Sequence, residues 1–96
     1  MKRDADGFLQ NTSDWSLGVM EEMARADNFE ITDQIRIYIM KAREMYHETG
    51  TVPAVRVFAK EFGMDRKARE LYKVFESGPM KKIAKYGGLP KPTGCV

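Results

Sequence analysis

The spacing of apolar residues predicts two long helices in the first half of the chain. Ser13 or Asp14 is suited to cap the first helix, and Thr32 to cap the second. In the second helix apolar residues recur every three or four positions until Gly50, which is suited to end it. This stripe, the longest in the sequence, consists of Ile35, Tyr38, Ile39, Ala42, Met45 and Tyr46. The pattern places one apolar face on each helix.

Three shorter helices are predicted in the second half. Pro53 suits the first turn of a third helix, which Gly63 would end. Asp65 is suited to cap a fourth helix, and Pro79 to open a fifth over residues 80–86. The third and fourth helices would bury apolar residues at helical spacing, namely Val55, Phe58, Ala59 and Phe62, then Ala68, Leu71, Tyr72 and Phe75.

The predicted fold class is mainly α, a small orthogonal bundle of about five helices. The one extended signal is the Asp6-Gly7 turn before Phe8 and Leu9, which predicts a vestigial N-terminal β-hairpin. A chain of 96 residues is long enough for one hydrophobic core. We therefore expect one helical domain over residues 1–86.

Residues 87–96, GGLPKPTGCV, differ from the rest of the chain in composition. Gly87 and Gly88 interrupt the fifth helix. Pro90 and Pro92 fix their own φ angles and bias the residues before them away from helix. The segment is therefore predicted to be a mobile arm, which could reach on the order of 33 Å if fully extended.

This arm carries Cys95, the only cysteine of the sequence. One thiol cannot form an intramolecular disulfide, and the lone His47 lacks a cysteine neighbour, so we expect neither a metal site nor a cofactor. A cysteine reacts as its thiolate, which nearby cations stabilise. Lys85 and Lys91 are candidates for that role. The position on a Gly/Pro-rich arm favours a reactive carrier thiol over a buried apolar one.

Charge is distributed unevenly. The net charge is +2, but residues 1–55 carry six Lys/Arg against ten Asp/Glu, whereas residues 56–96 carry ten against four. The basic half suits an acidic partner surface, a polyanion or a thiolate. Residues 52–75 could also form a DNA-binding helix-turn-helix, although a packed helix pair with a solvated basic face is favoured. The basic residues there are Arg66, Lys67, Arg69 and Lys73.

Composition places the protein among ordinary globular domains, with 43% hydrophobic and 31% charged residues. No apolar run approaches the roughly 18 residues that span a bilayer. The N-terminal MKRDADGF lacks the apolar core of a secretion signal. We therefore expect a soluble, cytoplasmic protein without a membrane partner.

Several segments resemble the DsrC/TusE family of sulfur carriers: DADGFL, DWS, REMYHETGTVPAVRVFAK, LYKVFESGP and GGLPKPTGCV. The family includes the gamma subunit of dissimilatory sulfite reductase and a relay protein of tRNA 2-thiouridine synthesis. The resemblance implies that the penultimate Cys95 carries sulfur as a persulfide. Two-cysteine members have a second cysteine eleven residues earlier, where this chain has Ala84. The chain is therefore similar to the single-cysteine, TusE-like branch.

The function implied by this resemblance is sulfur relay, in tRNA thiolation or in sulfur-compound metabolism. The protein would be a sulfurtransferase-type carrier rather than a stand-alone catalyst. Its expected partners are a donor sulfurtransferase and an acceptor, such as a DsrEFH/TusBCD-like complex or sulfite reductase. The alternatives are a partner of dissimilatory sulfite reductase and a helix-turn-helix regulator. Arg56 and Tyr72 are candidates for docking the arm. The expected arm and thiol environment comprises Lys85, Gly87, Gly88, Leu89, Pro90, Lys91, Pro92 and Gly94.

Overall fold

Helix α5 is the central element of a helical bundle. It packs against α1, α2 and α4, and it buries its apolar face in the core. The computed structural model describes residues 2–65 and 67–92. The five α-helices in this part of the chain are α1 Leu17–Ala26, α2 Asp33–Thr49, α3 Val55–Glu61, α4 Arg69–Phe75 and α5 Pro79–Tyr86. The prediction of a mainly α bundle is therefore confirmed.

Helix α1 begins later than the sequence predicted. Residues Thr12–Asp14 form a single 3-10 turn, and Trp15 after them is extended. Neither Ser13 nor Asp14 therefore caps α1. Instead the Ser16 hydroxyl accepts a hydrogen bond, 3.1 Å long, from the backbone N–H of the third helical residue. The extended Trp15 separates the two helical segments.

Helix α2 has the ends that the sequence predicted. The Thr32 hydroxyl accepts a hydrogen bond of 3.2 Å from the Ile35 N–H. At the other end Gly50 adopts the left-handed conformation with φ 78°. Helix α3 starts at Val55, so that Pro53 lies just before the helix and not in its first turn.

Helix α4 is shorter than predicted and lacks the predicted cap. The Asp65 carboxylate accepts a hydrogen bond from the Lys67 N–H, and the helix begins only at Arg69. Ala68 before the helix and Glu76 after it have φ angles of 50° and 65°. Such positive φ angles cost a residue other than glycine about 1–3 kcal/mol each, so tertiary packing must hold this helix in place.

Aromatic side chains form much of the core. The Tyr38 ring meets the edges of Phe58 and Phe62 at centroid distances of 6.0 and 5.0 Å. Phe29 stacks on Tyr86 at 4.7 Å. No polar or charged residue is buried in the described part of the chain. Apolar burial is therefore the main source of stability in this bundle.

The N-terminal residues make one isolated antiparallel bridge, between Arg3 and Leu9, around the Asp6-Gly7 turn. No strand is present in residues 2–65 and 67–92. Only this bridge corresponds to the predicted hairpin. None of the helices described above is long and apolar enough to cross a membrane.

Candidate functional site

The base of the C-terminal arm is fixed to the end of α5. The Leu89 N–H donates to the Ala84 carbonyl at 2.9 Å, and the Gly88 N–H donates to the Lys85 carbonyl at 3.4 Å. These two bonds form a Schellman turn, in which Gly88 takes the left-handed conformation with φ 67°. Gly87, Gly88 and Leu89 are all buried. The exposed part of the arm therefore begins at residue 90.

Two side chains from distant segments hold this turn. The Trp15 indole N–H donates to the Tyr86 carbonyl at 2.7 Å. The Arg43 guanidinium donates to the Gly87 carbonyl and lies 3.7 Å from the centre of the Trp15 ring. A Cβ atom at Gly88 would come within 2.5 Å of the Trp15 side chain. Only glycine fits at this position.

Lys91 connects the arm to the N-terminal turn. Its ammonium lies 2.6 Å from an Asp6 carboxylate oxygen and 3.1 Å from an Asp4 carboxylate oxygen. It also lies 5.8 Å from the centre of the Phe8 ring. Hydrogen bonds to Asp6 and then Asp4 raise the pKa of Lys91, and the same contact lowers the pKa of Asp6. Two carboxylates therefore compete with any thiolate for this ammonium.

A second ionic group supports the N-terminal turn and α5. The Arg3 guanidinium pairs with the Asp27 carboxylate through two contacts of 3.1 and 2.7 Å. The Tyr86 hydroxyl donates to the same carboxylate at 2.8 Å. Hydrogen bonds from Arg3 and then Tyr86 lower the pKa of Asp27, although its burial acts in the opposite direction. Burial and the bond to Asp27 raise the pKa of Tyr86.

These two pKa shifts predict a loss of stability at both ends of the pH scale. The lowered pKa of Asp27 contributes stability above about pH 4, which is lost as the pH falls through the folded-state pKa. The raised pKa of Tyr86 contributes stability below about pH 10, which is lost as the pH rises through the folded-state pKa. Urea unfolding of the wild type and of Tyr86→Phe between pH 2 and 11 measures the acidic and the alkaline loss of stability. The variant should lose less stability above pH 10; equal alkaline slopes would contradict this assignment.

The remaining predicted arm residues lie in different environments. Pro90 is exposed and Pro92 is partly buried. Lys85 is also partly buried, and its ammonium lies 5.7 Å from the centre of the Tyr86 ring. Gly94 and Cys95 are outside the described residues, so the environment of the thiol stays a prediction.

Arg56 and Tyr72 lie on α3 and α4. Tyr72 is 42% exposed. Arg56 lines an open groove with a basic rim, together with Val57, Lys60, Met64, Asp65, Lys67 and Arg69. The arm residues 87–91 make their hydrogen bonds and ion pairs with Arg43, Asp4, Asp6 and the end of α5 instead. Docking at Arg56 and Tyr72 would involve later arm residues and stays a prediction.

Sequence reasoning did not identify the four side chains that hold the arm. Trp15 is the only tryptophan and stands in a polar stretch, which was the one available signal for it. In the sequence, Arg43 does not differ from the other charged residues of α2. Asp4 and Asp6 could be linked to Lys91 only by their opposite charge, which does not select one lysine among many.

Comparison with known proteins gives one family over the whole chain. The family model described as DsrC like protein matches residues 1–96. The sulfurtransferase TusE of Photorhabdus laumondii is 35% identical, over 100% of this chain and 91% of that protein. The dissimilatory-type sulfite reductase gamma subunit of Nitratidesulfovibrio vulgaris is 37% identical, over 97% of this chain and 88% of its own length.

Solved structures agree with this result. The solution structure of Allochromatium vinosum DsrC is 42% identical with a TM-score of 0.81, covering 98% of this chain and 88% of that one. The oxidized gamma subunit of the Archaeoglobus fulgidus dissimilatory sulfite reductase is 34% identical, also with a TM-score of 0.81. It covers 100% of this chain and 92% of its own. Both the sequence and the arrangement of helices therefore match.

Proposed function

The chain belongs to the DsrC-like family, and on this premise we propose that it is a sulfur-relay carrier whose cargo is a persulfide on Cys95. The observation that carries the proposal is the match over residues 1–96, which includes the GGLPKPTGCV segment with the only thiol. Two relatives that the chain covers over 91% of their length are named sulfurtransferases. The firmly held turn at Gly88 gives the arm a defined starting point on the bundle.

The chemistry is an exchange between thiolates and persulfides. The Cys95 thiolate attacks the outer sulfur of a donor persulfide, the donor's S–S bond breaks, and the donor thiolate leaves. An S–S bond of the same type now stands on Cys95. Attack by an acceptor thiolate repeats the exchange and regenerates the Cys95 thiolate. No net oxidation or reduction occurs. Because Cys95 receives the sulfur from one partner and passes it to another, the chain serves as a carrier and not as a stand-alone catalyst.

Such a carrier needs two partners, a donor sulfurtransferase and an acceptor. We propose a DsrEFH/TusBCD-like complex or sulfite reductase for these roles. The relatives include both sulfurtransferases and a sulfite reductase gamma subunit, which supports both kinds of partner. We place the protein in the cytoplasm, because a reducing compartment keeps a lone thiol free.

A role as partner of dissimilatory sulfite reductase is the second candidate, since the gamma-subunit relative is similar over nearly the full chain. In two-cysteine members the second thiol corresponds to Ala84, which is fully buried here. With one thiol, the chain can hold sulfur as a persulfide but not between two of its own cysteines. This departure favours the single-thiol relay.

The lengths of α4 and of the connection before it do not favour the helix-turn-helix alternative. Residues 62–68 connect α3 to α4, about twice the length of the three- or four-residue turn of that motif. Helix α4 is only seven residues long. The basic rim near Arg56 therefore fits an acidic partner surface better than a recognition helix in a major groove.

The test is intact-protein mass spectrometry after incubation with a persulfidated sulfurtransferase. We expect a mass gain of one sulfur atom that disappears on reduction and is absent in Cys95→Ser. Because that variant removes the only thiol, it is also the control for sulfur bound elsewhere. A gain that persists in Cys95→Ser, or no gain with any persulfidated donor, would contradict the proposal.

A further inference from the structure

The N-terminal turn presents two carboxylates in a fixed arrangement. The Asp4 carboxylate accepts hydrogen bonds from the N–H groups of Asp6 and Phe8, at 2.9 and 3.0 Å. The Asp4 N–H donates to the Phe8 carbonyl at 2.7 Å. The Arg3 guanidinium donates to the Gly7 carbonyl while it pairs with the α1 end. These contacts attach the turn to the bundle independently of Lys91.

We propose that Lys91 is a positioning residue, which latches the arm to Asp4 and Asp6 and so sets the reach of Cys95. This inference rests on the proposed function for the role of Cys95. Three residues separate Lys91 from Cys95, so the Cα atom of Cys95 lies at most about 14 Å from that of Lys91. If the latch opens, the last fixed point is Leu89, and the limit becomes about 21 Å. A closed latch therefore confines the thiol to a smaller set of positions, the confined set, than the free set that an open latch allows.

The two fixed points differ in strength. Gly88 and Leu89 are buried, and Gly88 lies against the Trp15 side chain, whereas the Lys91 side chain is 50% exposed. The carboxylates of Asp4 and Asp6 are 32% and 54% exposed. Exposed ion pairs are weak and are screened by salt. The buried turn at the base of the arm is therefore the stronger attachment, and the ion pairs of Lys91 are the weaker one. An acidic partner surface would open the latch by competing for Lys91.

The chain contains a natural pair of sites for measuring this latch. Trp15 is the only tryptophan and lies at the base of the arm, and Cys95 is the only thiol. A fluorescence acceptor attached to Cys95 reports its distance from Trp15 through energy transfer. Time-resolved decay of Trp15 fluorescence gives the distribution of distances at low and high salt.

In the wild type we expect a larger confined population, seen as a narrower distribution of distances, at 20 mM salt than at 1 M salt. Lys91→Gln should reduce the ratio of confined to free populations by about two- to tenfold at low salt, since each exposed pair contributes a small factor. That variant should also lose the salt dependence. Asp6→Asn removes one of the two pairs and leaves the hydrogen bonds of Asp4 intact, so it should give an intermediate ratio.

Lys60→Gln is the matched control, because it removes an exposed lysine from α3 with the same change in charge. It should leave the distances unchanged. The latch is refuted if Lys91→Gln has the wild-type distances at low salt, or if Lys60→Gln shifts them equally. Failure of the sulfur-loading test would refute the carrier role without affecting this distance measurement. Loading with unchanged distances would refute the latch alone.

Discussion

Replacing Gly88 by alanine is expected to lower the free energy of unfolding by about 2–4 kcal/mol. Gly88 has φ 67°, a conformation that costs a residue with a Cβ about 1–2 kcal/mol. The new Cβ would also lie 2.5 Å from three Trp15 atoms. The Trp15 ring would have to move, which weakens its hydrogen bond to Tyr86 and its contact with Arg43. Urea unfolding followed by circular dichroism measures the loss.

Gly63→Ala separates the two causes. Gly63 has nearly the same conformation, φ 70°, but a Cβ there would meet no atom within 4 Å. We expect this variant to lose only the conformational part, about 1–2 kcal/mol. If both variants lost the same stability, the contact between Gly88 and Trp15 would not fix the base of the arm.

Phe75→Ala is expected to lower the free energy of unfolding by about 3–5 kcal/mol. Phe75 is 1% exposed, and its ring centre lies 6.2 Å from that of Tyr38 and 6.3 Å from that of Phe29. Helix α4 has no side-chain cap, and a residue with a positive φ angle flanks it at each end. Its position therefore depends on the two buried anchors, Leu71 and Phe75. Amide hydrogen exchange should show lost protection in α4 first.

Tyr72→Ala is the matched control on the same helix. Its side chain is 42% exposed, so we expect a loss below about 1 kcal/mol and unchanged protection elsewhere. If Phe75→Ala were as mild as this control, local propensity rather than packing would hold α4.

The helices that the sequence predicted well have local causes. The Thr32 cap, the Gly50 stop and the long apolar stripe fix α2 within its own residues. Pro79 does the same for α5. Helix α4 was predicted poorly, because Ala68 and Glu76 adopt positive φ angles that neither residue favours on its own. Only packing of the completed bundle selects them.

The candidate site also has some features that the sequence predicts and others that it does not. Glycines, prolines and a single cysteine in GGLPKPTGCV are visible in the sequence and indicate an arm with a thiol. The place where the arm leaves the bundle is not visible there. It depends on Trp15, which is 71 positions from its acceptor Tyr86, and on Arg43, which is 44 positions from Gly87. Periodicity and composition contain no information on contacts of that range.

The burial of Ala84 bears on how single-thiol and two-thiol carriers could evolve into each other. Its side chain has no exposed surface, and its carbonyl accepts the bond from Leu89 that closes the Schellman turn. A cysteine at this position would sit in apolar surroundings, which raise a thiol pKa and make the sulfur unreactive. The substitution alone would therefore be chemically silent in this protein. A lineage that gained a working second thiol would also need a looser turn after α5.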